Sequence, residues 1–367
     1  MSLAIHLATP SDDAPIRALL RREAMPGPIR LSYEREPGFR LGCGAAAEDC
    51  QTLVARDEQN GEIAGLACRS TRRVYLNGSE QRIGYLGQLR IDSRYRGRWL
   101  LSRGFAELKR MHDLDPVPVY LASIVAGNRE AAGVLVHRPR RGFPRFRPIA
   151  DYRTLAIGAR RAKAPLRACV QIAAPRADEL AEVAQFLQLH GARRNLFPVW
   201  TVNEIERLAG FGLRGEDLRI ARRSGKIAGV AALWDQSAYK QAVVRGYSGW
   251  LGRAAPFYNR LAPWLGRTPL PRPGEAIRCA YVSLVAVAND EAEVFRALLR
   301  ELCNLASARG LSYMMVGLDC RDPLLPVARE YWHIAYPSTL YLAEWPPGEG
   351  LYERLDRRPV YVDIATL

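Results

Sequence analysis

The run YLGQLRIDSRYRGRWLLSRGF spans residues 85–105. Its first residues read as a strand ending at Ile91, Arg98 to Leu114 carry apolar residues at helical spacing, and between them lies a turn with Gly97, Arg94, Arg96 and Arg98. A strand that enters a helix through such a turn gathers backbone N–H groups and the positive end of the helix dipole at one point, an arrangement that holds a diphosphate. Glycine lets the backbone approach the phosphates, and guanidinium groups add charge-assisted hydrogen bonds. Trp99 stands where a second small residue would leave more room. Three arginines in five residues suit a solvated turn equally well, so the order of the flanking elements has to decide.

Upstream, LAIHLA (3–8) reads as a strand, and Ser11, Asp12 and Asp13 open a helix, acids standing where a helix N-terminus is positive. TLVARDE (52–58), EIAGLACRSTRRVYL (62–76) and QRIGYLGQLRID (81–92) form a meander turned at Asn60-Gly61 and Asn77-Gly78. Downstream follow the strand VPVYLASIV (117–125), a short helix after Asn128 and the strand DYRTLAIG (151–158). Residues 1–158 therefore form one α/β unit, antiparallel early and with a parallel crossover later.

Residues 159–168 are basic and proline-containing, as a linker is. Beyond them the order begins again over 169–367. A strand (169–174), a helix (176–190) and a hairpin about Ser224-Gly225 lead to a strand (276–288), a long helix ending at Gly310 and the strand LSYMMVGL (311–318). Two copies of one architecture is the economical reading, each a mixed, mostly antiparallel twisted sheet flanked by helices. Residues 237–275, rich in Tyr, Trp, Arg and Pro, are an insertion in the second copy, and packing is the default role of its aromatics.

The 367 residues are 48% hydrophobic and 25% charged, as in a folded protein with more than one core. No apolar run approaches the ~20 residues of a membrane span, and no basic leader precedes an apolar core, so no membrane partner and a cytoplasmic location are expected. The net charge of +15 raises nucleic acid as a partner, but the arginines are spread through the chain. The 7 cysteines and 5 histidines show neither C-x-x-C pairs nor helical His pairs, so no metal is expected.

With IDSRYRGR (91–98) closing one strand and GNREAAGVLVHRPRRGF (127–143) following the next, the chain resembles the GCN5-related N-acetyltransferase superfamily. The resemblance extends in architecture over the whole chain and in motifs over about 85–157. It implies an acyl-CoA site in the first copy, made by Leu89, Ile91, Arg96, Gly97, Arg98, Trp99, Leu100 and Asn128. Trp99 and Leu101 fall on the two glycines of the family's R-x-x-G-x-G loop. Asn128 suits both a helix N-cap and a contact to pantetheine.

The resemblance implies transfer of acetyl from acetyl-CoA to an amine acceptor, a small molecule or peptide. The family's tyrosine acid, seven residues after the asparagine, is Leu135 here. His137, Tyr85 and Ser123 are the remaining catalytic candidates, His137 for its suitable pKa. The loop of the second copy, VAVANDEAEVF (285–295), lacks glycine and carries Asp290, Glu291 and Glu293, which would repel a diphosphate. That copy is read as structural or acceptor-binding. Two other readings stay open: a binding module without turnover, and, because tandem arrangements also occur in Fem-type aminoacyl transferases, transfer from aminoacyl-tRNA.

Overall fold

Asn77 and Gly78 both take positive φ, 52° and 81°, the backbone that a tight hairpin requires. The chain order begins β1 (Leu3–Leu7), α1 (Asp13–Arg22), β2 (Ile29–Glu34), α2 (Phe39–Ala46), and the meander β3 (Asp49–Asp57), β4 (Ile63–Leu76) and β5 (Ser79–Ile91). Then come α3 (Leu100–Leu114), β6 (Tyr120–Val125), α4 (Arg129–Leu135) and β7 (Arg145–Gly158). The second half runs β8 (Gln171–Ala173), α5 (Leu180–Gly191), α6 (Val202–Ala209), β9 (Leu218–Arg223), β10 (Lys226–Trp234), β11 (Gln241–Tyr247) and α7 (Gly249–Leu261). It closes with β12 (Cys279–Val287), α8 (Ala292–Ala308), β13 (Tyr313–Asp319), α9 (Leu325–Arg329) and β14 (His333–Glu344). The computed structural model describes residues 3–25, 27–47, 49–97, 99–137, 141–164, 166, 170–262, 264–265, 269–346 and 350–367.

Twelve strands form one sheet in the order β1-β3-β4-β5-β6-β14-β7-β13-β12-β10-β9-β8. Its pairs are antiparallel except β5 with β6 and β12 with β13. The two halves exchange their last strands. β14 pairs with β6 from Ser338↔Val125 to Ala343↔Tyr120, and β7 pairs with β13 from Tyr313↔Gly158 to Asp319↔Tyr152. β7 and β14 also pair with each other along their length, so one sheet contains the strands of both halves.

Helices cover the sheet where their apolar stripes demand it. α8 buries Val294, Phe295, Leu298, Leu299, Leu302 and Ala306, the spacing of one helix face, and α1 does the same with Ile16, Leu19 and Leu20.

β2, α2, α6 and α7 are additions to the expected order. β2 follows Pro26-Gly27-Pro28 and finds its partner more than 200 residues away: it pairs antiparallel with β11, from Gln241↔Glu34 to Tyr247↔Ile29. Local propensity carries no signal for such a contact. The 237–275 segment thus forms a two-stranded ribbon with the first half. α2 contains Gly42 and Gly44, poor helix formers, because a Cβ at 42 would stand 1.8 Å from Arg35 Nη1 and one at 44 would stand 2.9 Å from the Phe211 ring.

Leu340, fully buried on β14 opposite Ser123, packs between the halves. Leu340→Ala is expected to lower stability by about 2–5 kcal/mol. Urea unfolding followed by tryptophan fluorescence and by circular dichroism should show one coincident transition moving to lower urea, because neither half retains its own last strand.

Candidate active site

The strand β5 does not stay flat. Cys68 opposes Gly87 and Leu66 opposes Arg90, so Gln88 and Leu89 together face the single residue Ala67. This is a β-bulge, and Gln88 takes φ +54° to make it. Beyond it β5 leaves β6, the two being paired only at Gly84↔Tyr120 and Tyr85↔Leu121. The second half repeats the device: Leu284 and Val285 face Ala231, Leu284 has φ +53°, and β12 pairs with β13 only at 279–281.

What fills the two splays differs. In the second, Asp363 Oδ2 accepts from Leu284 N (2.9 Å) and Ser283 Oγ (2.6 Å), and Tyr361 OH accepts from Val285 N (3.3 Å). The chain from Val360 to Thr366 is buried there, with Tyr152 OH donating to Val362 O at 2.6 Å. In the first splay no described side chain accepts from the N–H of Gln88 or Leu89. A cavity of about 380 Å³ opens instead.

Its inner end is apolar, walled by Ala67, Leu86, Phe105, Leu108, Ala122 and Ile124. A small void of about 40 Å³ lies next to it under α3, beside Leu100, Leu101 and Gly104. The cavity extends across β7, β13 and β14 beneath the β2–β11 ribbon, where Lys240, Ala242, Val244 and Tyr247 line it. The insertion is its roof.

A second opening of about 910 Å³ adjoins the cavity and shares Leu89, Arg90, Asn128, Ala131 and Leu135 with it. This groove is lined by Leu89, Ile91, Arg96, Gly97, Trp99, Leu100 and Asn128, so the expected cofactor residues are brought together. Arg98 lies outside the described residues. Trp99 caps α3 with φ +55°, a backbone that glycine adopts freely, and its indole is 78% exposed, leaving the mouth open. A Cβ on Gly97 would meet nothing within 4 Å.

The arginines of the turn divide. Arg94 is held by Asp92 (2.8 Å) and Glu62 (2.6 Å), making it part of the scaffold. Arg96 reaches over the groove to Glu23 (3.2 Å) and Glu130 (3.1 Å). Asn128 Oδ1 accepts from Ala131 N at 3.1 Å, the N-cap of α4, while its Nδ2 has no partner among the described residues.

Tyr85 and Ser123 line the cavity and Leu135 stands at its junction with the groove. Burial pushes the Tyr85 phenol up to about 12. Its ring folds over the bulge, since a Cβ on Gly87 would come within 2.5 Å of it. His137 is exposed at the end of α4 and lines neither opening.

Cavity residues without a local sequence signal are Arg35, Arg90 and Lys240. Arg90 is held below its ordinary range by burial and donates to Leu89 O at 2.9 Å. Lys240 donates to Leu367 O at 2.8 Å, and burial together with the charge of Arg35 brings its ammonium down to about 7. The Sγ atoms of Cys43, Cys50 and Cys68 lie within 4.8 Å of one another, with Cys68 in the cavity wall, and offer three soft donors to a metal.

No family model matches this sequence, and no curated protein does. Solved structures do. Saccharomyces cerevisiae N-myristoyltransferase with bound myristoyl-CoA aligns with 98% of this chain and 89% of its own at a TM-score of 0.63 and 11% identity. The chain has the fold of the GCN5-related N-acetyltransferases. A GCN5-related glucosamine N-acetyltransferase region from a fungal multi-domain GH3 β-N-acetylglucosaminidase aligns with 93% of this chain and 38% of that one (TM-score 0.61, 14% identity). A GCN5-related N-acetyltransferase from Sphaerobacter thermophilus covers 100% and 98% (TM-score 0.55, 16% identity). In this fold the bulged strand and its splayed neighbour are the features that locate the two openings. No described helix is long and apolar enough to cross a membrane.

Lys240 gives a stability test. Its folded-state pKa lies below that of an unfolded lysine, so below pH 7 the native state carries a buried ammonium that the unfolded chain solvates. The native state gains from this group as pH rises from about 7 to about 10. Lys240→Met should therefore be most stabilising, relative to the parent, below pH 7, with the difference shrinking toward pH 10 in urea melts.

Proposed function

We propose that this chain is an acyl-CoA-dependent N-acyltransferase, with acetyl-CoA as the shortest donor and an amine as acceptor. The observation that carries this reading is the pair of openings that meet at the bulge, one open at the head of α3 and the other apolar at its inner end. The groove at Gly97 and the N-terminus of α3 receives the diphosphate, and Arg96 exchanges Glu23 and Glu130 for phosphate oxygens. Asn128 Nδ2 offers a hydrogen bond to the pantetheine arm.

The free amine of the acceptor attacks the thioester carbonyl of acyl-CoA: a C–N bond forms, the C–S bond breaks, and the proton lost by nitrogen balances the one gained by the departing thiolate, leaving an amide and a thiol. The N–H groups of Gln88 and Leu89 donate to the carbonyl oxygen as it gains charge, a term commonly worth about 3–4 kcal/mol per donor. Tyr85, protonated throughout the working range, supplies a donor for the departing sulfur in place of the tyrosine absent at Leu135, and Ser123 lies along the same wall. No Asp or Glu side chain lines the cavity among the described residues. Arg35, Arg90 and Lys240 disfavour an ammonium ion in the cavity, which holds the acceptor as the free amine. His137 has no part in this reading. The apolar inner end exceeds what an acetyl group fills, so longer acyl chains are accepted as well.

A binding module without turnover is the second reading, favoured by Leu135. Calorimetry with acetyl-CoA to decanoyl-CoA, followed by thiol release over an amine panel, separates the two, since heat without thiol release supports the module. Asn128→Ala and Arg96→Glu should each weaken CoA binding, the latter about 10-fold or more because it sets three acids at the groove mouth. Trp99→Gly should leave binding unchanged or tighten it, having removed a left-handed non-glycine residue. CoA affinity unmoved by Arg96→Glu would place the diphosphate elsewhere. Transfer from aminoacyl-tRNA would instead appear as tRNA binding that falls steeply with salt.

A further inference from the structure

The roofed end of the cavity has a charge pattern that the transfer reaction itself does not require. Arg35 follows β2 and is 5% exposed, yet it forms no hydrogen bond or ion pair with any described residue. It lines the cavity. Its seat is specific: the guanidinium lies against Gly42 of α2, where a Cβ would stand 1.8 Å from Nη1. A buried guanidinium without an anion is costly, because its desolvation is uncompensated. Its neighbours Arg21 and Arg17, by contrast, are matched to Glu34 and Glu36.

Lys240, immediately before β11 on the opposite half of the roof, faces the same space. Its Nζ is held by the main-chain oxygens of Leu367 (2.8 Å) and Ala365 (3.5 Å) and lies 4.6 Å from the centre of the Tyr281 ring. Arg35, Lys240, Tyr85, Gln88 and Tyr281 all line the one cavity, so the two cations and the bulge border one chamber. Among the described residues its wall contains no Asp or Glu. Arg35, buried and without a described partner, shares with Lys240 a wall free of Asp and Glu side chains, which points to an anion that arrives with the ligand.

We propose that the acceptor is an anionic amine, whose carboxylate or phosphate is bound between Arg35 and Lys240 while its amino group faces the bulge at Gln88. This rests on the acyltransferase reading and adds the chemical class of the acceptor. Arg35 supplies the planar fork that fits either anion, and Lys240 a point charge. The division of labour follows: one end of the chamber holds the anion, and the same positive field keeps the amine unprotonated for attack.

The test compares matched pairs that differ only in the anion: glycine with glycinamide, glycylglycine with its amide, and phosphoethanolamine with ethanolamine. Thiol release from acyl-CoA gives kcat/KM for each, and calorimetry on the CoA-loaded protein gives affinity without turnover. The charged member should be preferred by about 10-fold or more in at least one pair. Which pair it is distinguishes carboxylate from phosphate. Arg35→Gln and Gly42→Ala, which displaces the guanidinium, should abolish that preference chiefly by raising KM for the charged member, with CoA affinity unchanged. Thermal melting with CoA identifies a variant that has failed to fold, and the preference of the parent protein stands without any variant. Equal binding of charged and neutral members, or a preference that survives Arg35→Gln in folded protein, overturns the proposal. Anion-selective binding with no thiol release would instead uphold the anion site and defeat the acyltransferase reading.

Discussion

A bulge that turns one strand away from its neighbour inside the sheet is the constraint on which this molecule is organised. Gln88 sits in a left-handed conformation within a strand, which costs about 1 kcal/mol or more for a residue with a side chain. In return β5 peels away from β6 inside the sheet, where an unfilled gap would expose ladder groups to an apolar interior. Such a gap must be filled by protein or by ligand. The chain does both: in its second half Tyr361 and Asp363 occupy the equivalent N–H groups, and in its first half the space is a cavity. The halves are thus one device used twice, once closed by the protein itself.

The exchanged strands make the closed copy useful to the open one. β14, from the second half, forms the edge against which β6 rests, and β11 roofs the chamber with β2. Cys279, Tyr281, Tyr313 and Met315 supply part of the far wall. The chamber therefore has no complete set of walls in residues 1–158 alone. The second half fills its own splay and supplies one side of the cavity in the first.

Much of the architecture was legible in the sequence because it is written in local signals. The Asn-Gly turns and the helix stripe of α8 rest on spacing within a few residues. The groove was legible for the same reason, since Ile91, Gly97, Leu100 and Asn128 lie on consecutive elements. What was not legible depends on pairing across long separations. β2 meets β11 across more than 200 residues, and Arg35 and Lys240 line one cavity only because that ribbon closes. His137, chosen for its chemistry, follows α4 by two residues and faces solvent, because helix geometry at that point turns Leu135 toward the cavity instead. One compositional hint was present: among so many arginines the chain has four lysines, Lys109, Lys163, Lys226 and Lys240, and the last is the one that lines the chamber.

The departure at Trp99 has a physical resolution. The loop asks its residue at that point for φ near +55°, and glycine meets this without strain. It does not ask for an absent side chain, because the indole projects outward and a Cβ at neighbouring Gly97 would also meet open space. A backbone amide presents the same N–H whatever its side chain, so a bulky residue is tolerated wherever its Cβ points away from the ligand. The two glycine positions of the loop therefore carry different requirements. Position 99 is conformational, while Leu101 faces inward to the groove and to the void under α3 and narrows them. A loop can thus depart from its glycine pattern at both places and keep the backbone that a diphosphate needs.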